Sequence, residues 1–285
     1  MRPISMADRR LVGDYLNRFP PTVSELTFTN LYCWRHTRPI FLDEYQGTLL
    51  IFAQFPEGIA ILGNPVGPAS LVGILRAHGG RITRVERFPA AMLAGKELPP
   101  EATIIPDRDN SDYVYRREDL ANLTGRQFAK KRNHISQCIS AYDCRYEIIT
   151  GDNLPECLAM QQRWCLARGC KAEPGLEGED RAIEEALLNY EELSLTGGVI
   201  RIGETIQAFT VGEALNQDTA VCHFEKAMPG FHGLAQLINQ WFAKFGLPGF
   251  TWINREQDLG LPGLRLAKES YCPDHLVEKV RIVMP

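Results

Sequence analysis

A chain of 285 residues carries 31 basic against 35 acidic side chains, a formal net charge of −4, and 45% of its residues are hydrophobic. That composition excludes a disordered chain, and at roughly 100–200 residues per domain it predicts one large domain or two of modest size. No apolar run reaches the about 18 residues a membrane span needs, and the N-terminal stretch MRPISMADRRLVGDYLNRF has no hydrophobic signal region, which together predict a cytoplasmic protein. Eight cysteines stand at 33, 138, 144, 157, 165, 170, 222 and 272 without a C-x-x-C pair, so reduced thiols and no metal site are expected.

In chain order, helical spacing covers 5–19 and stops at Pro20-Pro21. Strand-like runs follow at 40–43, 48–55 and 59–62, the first two joined by the turn signal Gln46-Gly47. A short helix is predicted over 69–77, ended by Gly79-Gly80, and strands near 81–88 and 102–106. Pro99-Pro100 and the polar run 107–112 place a boundary between residues 1–108 and 109–285. The second half reads as a helix over 117–140, a strand at 144–149, and helices near 153–168 and 179–194. Strands at 198–202, 205–213 and 219–226 follow, then an amphipathic helix over 231–245, a strand at 250–254, a helix over 262–271 and a strand at 276–283. This order predicts an α+β fold with a mixed sheet flanked by helices, not a doubly wound parallel sheet.

The strings YVYRREDLANLTGRQFAKKRNHI, GGVIRIGETIQAFTVGE, HFEKAMPGFHGLAQLINQWFA and INREQDLGLPGLRLAKESYCP resemble a bacterial family related to the C-terminal domain of phosphatidylglycerol lysyltransferases. The resemblance is strongest over 110–285 and implies two GNAT-like units in tandem, each a mixed sheet flanked by helices, with the N-terminal unit degenerate. It also implies an acyl- or aminoacyltransferase whose donor is acyl-coenzyme A or aminoacyl-tRNA. The acceptor would be an amine or hydroxyl, lipid headgroups included. In that fold the turn after the fourth strand binds pyrophosphate, and Gly230-x-x-Gly233-x-Ala235 matches its last two positions, with Gly in place of Gln or Arg at the first. Backbone N–H groups at the helix start would hold phosphate there; a plain Gly-rich turn is the other reading. A tyrosine four residues after an alanine follows the fifth strand of the fold, and Ala267 and Tyr271 keep that spacing. Tyr271 would protonate the leaving group, or merely close the buried face of its helix.

Read from the residues themselves, His223 and Glu225 alternate along 219–226 and so should share a face, with Glu213 on the preceding strand to join them. Either could take a proton from an attacking amine, or Glu225 could pair structurally with Lys226 or Arg255. Asn254, Arg255 and Glu256 end the next strand, and Lys268 follows on the last helix. Arg255 could clamp a carboxylate or phosphate, or bridge to Glu225. The run Arg126, Lys130, Lys131 and Arg132 offers a contact for tRNA, coenzyme A phosphates or an anionic membrane surface, or else a solvated helix face balanced by the acidic stretch 173–192. Cys222, beside His223, reads as a buried small hydrophobe. The expected activity is acyl transfer within a ternary complex, against a non-catalytic ligand-binding module that keeps the cleft; the oligomeric state is left open.

Overall fold

A computed structural model describes residues 1–78, 81–95 and 97–284. The chain opens with β1 (Arg2–Pro3), α1 (Arg9–Arg18), α2 (Phe28–Cys33), β2 (Ile40–Tyr45), β3 (Thr48–Phe55) and β4 (Gly58–Leu62). Next come α3 (Leu71–Ala77), β5 (Arg84–Pro89), β6 (Thr103–Pro106), β7 (Asp112–Arg116), α4 (Arg117–Asn122) and α5 (Ala129–Ala141). The middle contains β8 (Cys144–Ile148), α6 (Leu154–Arg168), α7 (Pro174–Leu188), β9 (Thr196–Ile202), β10 (Thr205–Ala214) and β11 (Thr219–Ala227). The chain closes with α8 (Leu234–Trp241), β12 (Trp252–Asn254), α9 (Pro262–Glu269), β13 (His275–Val277) and β14 (Lys279–Val283).

These elements build two mixed seven-stranded sheets flanked by helices, as expected. One runs β1-β2-β3-β4-β5-β14-β6, the other β13-β7-β12-β11-β10-β9-β8. Two compact units result: Met1–Tyr113 with Glu256–Leu266 and Leu276–Pro285, and Val114–Arg255 with Ala267–His275. The sequence suggests one cut near 108/109, whereas the chain re-enters the first unit after residue 255 and again after 275.

In the first unit β3 is apolar and buried along most of its length, which is the pattern of a strand covered on both faces. Helix α3 starts at Ser70, whose hydroxyl accepts from the Gly73 N–H at 3.1 Å, and sends Leu71, Ile74 and Leu75 onto Phe52, Val85 and Phe88. The expected stop of this helix, Gly79-Gly80, lies outside the described residues. Val280 and Ile282 of β14 enter the same core, so the single strand expected at 276–283 is in fact two, one in each sheet. Beneath them the Lys279 ammonium donates to Glu25 and Asp112 at 2.6 Å each, with all three side chains fully buried.

The second unit corrects several boundaries. The helix expected over 117–140 breaks where Leu123 takes a left-handed backbone (φ 49°) and Gly125 follows at φ 101°, leaving α4 and α5. The acidic stretch is helical from Pro174, which suits the first turn because it lacks an N–H to satisfy. The amphipathic helix expected from 231 begins at Leu234 and ends in a π-turn over 242–246. Two elements carry no sequence signal. Helix α2 is buried all round and lacks amphipathic spacing, and β7 is a short run directly abutting a helix. Helices α6 and α7 pack together, and α5 and α8 form a second pair.

Replacing Lys279 by Met would leave Glu25 and Asp112 buried without their shared cation. Loss of a buried partner costs on the order of 3–5 kcal/mol, so K279M should lower the urea midpoint of unfolding sharply, and an unchanged midpoint would show that the pair is wet.

Candidate active site

Strand β11 meets β12 in parallel over only three residues, Thr219–Val221 against Trp252–Asn254, while it stays paired with β10 as far as Ala227. Beyond Val221 the two strands part, and the edge of β11 facing β12 is left without a strand partner. A bulge marks the same place on the other side. Val211 pairs with Phe224 and Gly212 with Cys222, so His223 is an extra residue on β11. The approach is so close that a Cβ on Gly212 would collide with the Val221 carbonyl.

That bulge overturns the expectation that His223 and Glu225 share a face. Glu225 stands opposite Thr210, and with the extra residue counted Cys222 lies on that face too, its Sγ 3.3 Å from the Thr210 hydroxyl. His223 instead bonds Glu213, Nε2 to Oε1 at 2.9 Å, and its side chain is 1% exposed. Glu213 is paired with Val221, on the face away from Thr210. The imidazole and the two carboxylates therefore form no single cluster.

Glu225 is held across the opening between the strands. Its Oε1 accepts from Arg255 Nη2 at 3.1 Å and its Oε2 from Asn239 Nδ2 at 2.9 Å. Arg255 follows directly on β12, and the Arg255 carbonyl accepts from the Lys268 ammonium. The Lys268 carbonyl in turn accepts from the Tyr115 hydroxyl at 2.9 Å. Burial works against the Arg255 charge, but Glu225 and the neighbouring Tyr115 and Tyr271 outweigh it and hold the guanidinium above its ordinary range. Two polar atoms here are buried and unbonded: Arg255 Nη1 and Asn239 Oδ1.

Tyr271 lies just past the end of α9 and is 6% exposed. Burial raises its phenol well above the ordinary value, so it is a protonated donor at neutral pH. Two cations approach its ring, Arg255 at 4.9 Å and Lys131 at 3.5 Å from the centroid. Lys131 also donates to the Ser270 hydroxyl at 2.8 Å. The basic run thus divides. Arg132 bonds the Leu123 and Gly125 carbonyls beyond the end of α4, Lys131 turns inward, and Arg126 and Lys130 are exposed.

On the other side of Glu225 opens a cavity of about 430 Å³. Gly230, Gly233 and Ala235 line it, with Glu225, Trp164, Arg168 and Lys226. At the start of α8 the Leu234 N–H donates to the Phe231 carbonyl at 3.3 Å, and the next N–H groups of a first helical turn have no intrahelical carbonyl, which suits an anion. Gly233 has its own reason to be glycine. At φ 82° it packs so closely on α5 that a Cβ would strike the His134 carbonyl, whereas Gly230 (φ 95°) faces open space. Trp164 donates its indole N–H to the Ala227 carbonyl at 3.1 Å, and Lys226 sits 4.1 Å from its ring centre while pairing with Glu179 at 2.7 Å.

Sequence reasoning missed Asn239, Trp164 and Arg168. The available signal was spacing: Ala235 and Asn239 are one helical turn apart, as are Trp164 and Arg168. Asn254 is fully buried, and Glu256, in the first unit, accepts from Asn30 Nδ2 at 3.3 Å. The expectation of reduced thiols fails at one pair: Cys165 and Cys170 form a disulfide, because Gly169 in a left-handed conformation ends α6 and folds the chain back.

Residues 16–282 match the family model for the C-terminal region of phosphatidylglycerol lysyltransferase. The chain belongs to this family. Among solved structures, a conserved protein of unknown function from Bacteroides thetaiotaomicron VPI-5482 is 34% identical, with a TM-score of 0.89 over 99% of this chain and 98% of that one. The C-terminal domain of a protein assigned as a lysylphosphatidylglycerol synthetase in Agrobacterium fabrum is 12% identical, with a TM-score of 0.70 over 99% of this chain and 92% of the other. L-PGS from Bacillus licheniformis is 13% identical, with a TM-score of 0.66 over 97% and 92%. At such identities the last two show the fold alone, and the two mixed sheets flanked by helices are the architecture expected. Comparison with curated proteins gives no match. Among the described residues of this family member, no helix is long and apolar enough to cross a membrane.

Burial, and then the charge of Arg255, bring the Lys131 ammonium down from an ordinary 10.5 to about 8. Between those values the unfolded chain holds a proton that the folded chain has released, so raising the pH through this window favours the fold. Carbon-13 NMR of the labelled lysine side chain should give a midpoint near 8; an ordinary midpoint would mean the ammonium lies in water.

Proposed function

We propose that the second unit is an acyl- or aminoacyltransferase acting on a hydroxyl or amine acceptor, in keeping with a family named for lysyl transfer to phosphatidylglycerol. The observation that carries this reading is the position of Glu225. It belongs both to the wall of the cavity beside α8 and to the cluster of Arg255, Asn239 and Tyr271 at the parted strands. A donor in the cavity and an acceptor on the Arg255 side would meet at this carboxylate.

In the proposed step the acceptor oxygen or nitrogen attacks the acyl carbon and Glu225 takes its proton. The bond to the leaving atom breaks, and Tyr271 supplies that atom with a proton. The leaving atom is sulfur for a coenzyme A thioester and a ribose oxygen for aminoacyl-tRNA. Both donors carry phosphates, which suits the N–H groups at the start of α8, and a cavity of about 430 Å³ falls within the usual range of ligand sites. His223, bonded to Glu213 on the opposite face, has no part in this scheme.

Acetyl-coenzyme A, longer acyl-coenzyme A species and bulk aminoacyl-tRNA should be compared by thermal shift. A donor at 100 times its dissociation constant stabilises the fold by about 2.7 kcal/mol, so one class should raise the melting temperature, and no response to any of them overturns the reading. With the responding donor, Glu225→Gln should reduce turnover on the order of 10²–10⁴-fold, the usual worth of a general base. Turnover equal to the parent's would remove Glu225 from the chemistry.

A further inference from the structure

Charge is out of balance on the Arg255 side of Glu225. Lys131 is half-buried, yet its only polar contact is the Ser270 hydroxyl, and among the described residues no carboxylate pairs with it. Arg255 has one carboxylate partner, Glu225, on one edge of its guanidinium, while Nη1 is buried and unbonded. Both cations converge on the Tyr271 ring. Two cations brought together at a partly buried site, where among the described residues Arg255 alone holds a carboxylate, are costly unless a further anion completes the set.

We propose that Lys131 and Arg255 bind an anionic oxygen of the acceptor, from a phosphodiester or a carboxylate, over the face of Tyr271. Arg255 Nη1 supplies the directed donor, and the Lys131 ammonium supplies a second charge with protons to spare beyond its bond to Ser270. An anion beside Lys131 would raise its lowered proton affinity again. The anion belongs to the acceptor because the donor cavity is lined by residues 225–233, 235 and 236 with Trp164 and Arg168, and includes neither Lys131, Arg255 nor Tyr271. That last assignment rests on the transfer reading; the anion site itself does not. An acceptor anchored there by its charge would present a neighbouring hydroxyl or amine to Glu225.

The full-length chain carrying carbon-13 at lysine Cε should be titrated separately with dimethyl phosphate, inorganic phosphate and acetate. A saturable shift of the Lys131 resonance with at least one probe is expected, and its apparent pKa should rise when that probe is bound. Preference for dimethyl phosphate identifies a phosphodiester source, and preference for acetate a carboxylate. Observed through the heat of binding, Lys131→Met and Arg255→Lys should each weaken the preferred probe at least tenfold. Arg10→Ala, which removes one charge from a side chain 93% exposed, should leave the affinity unchanged. Should Arg255→Lys fail to fold, Lys131→Met decides alone. No Lys131 shift with any probe, or parental affinity in Lys131→Met, overturns the proposal. Acyl transfer without anion binding would sink this site and spare the transferase reading, and anion binding without transfer would do the reverse.

Discussion

The second unit depends on two strands that begin a parallel pairing and abandon it after three residues. A continuous sheet would spend every backbone group of β11 on its neighbours, leaving nothing to recognise a ligand and no path to a buried carboxylate. By parting from β12, the strand keeps its fold through β10 and ends its ladder with β12 at Val221. The extra residue at His223 falls at the same level, so the strand bends where its partner leaves. Arg255 then spans the gap to Glu225 and gives the open region a fixed width.

A closed polar network in the first unit stands in contrast to the open one around Glu225. In the first unit Lys279, Glu25 and Asp112 are closed off together with Gln257 and Ser24, and the donors and acceptors answer one another. Asp258 is likewise surrounded by Tyr113, Arg108 and Arg265, which hold its carboxyl far below the usual range against the cost of burial. In the second unit the corresponding groups near Glu225 are left short of partners, at Arg255 Nη1 and Asn239 Oδ1. A fold can carry a few such deficits, because the satisfied networks elsewhere supply the stability.

Most of the fold was legible because its strands and helices are long and periodic. The helix at 154–168 and the strands at 48–55, 205–214 and 219–227 fall within a few residues of where their patterns place them. Helix α2 was invisible because it is buried on every side, Thr29 and Asn30 included, and β7 because five residues offer too little alternation. The site was legible in its parts and not in its grouping. Glu225 and Arg255 were named from their positions, and Tyr271 and the Gly230–Ala235 turn from the family resemblance, but a single inserted residue at 223 reverses strand parity and sends His223 away from Glu225. Nothing in local sequence announces a bulge of that kind. Lys131 was read with its neighbours as one basic surface, although a helix necessarily turns successive residues about 100° apart and only one of them could reach Tyr271.

The disulfide bears on how the cavity meets a ligand. Trp164 adjoins Cys165, and Arg168 lies inside the short loop that Cys165 and Cys170 close. Side chains carried on a free helix end would have to be brought to order by each incoming molecule, and that loss of freedom would be subtracted from affinity. A covalent tie made once, during folding, moves the expense to the biosynthesis of the protein. The backbone that carries Trp164 and Arg168 is therefore tied in place before any ligand arrives.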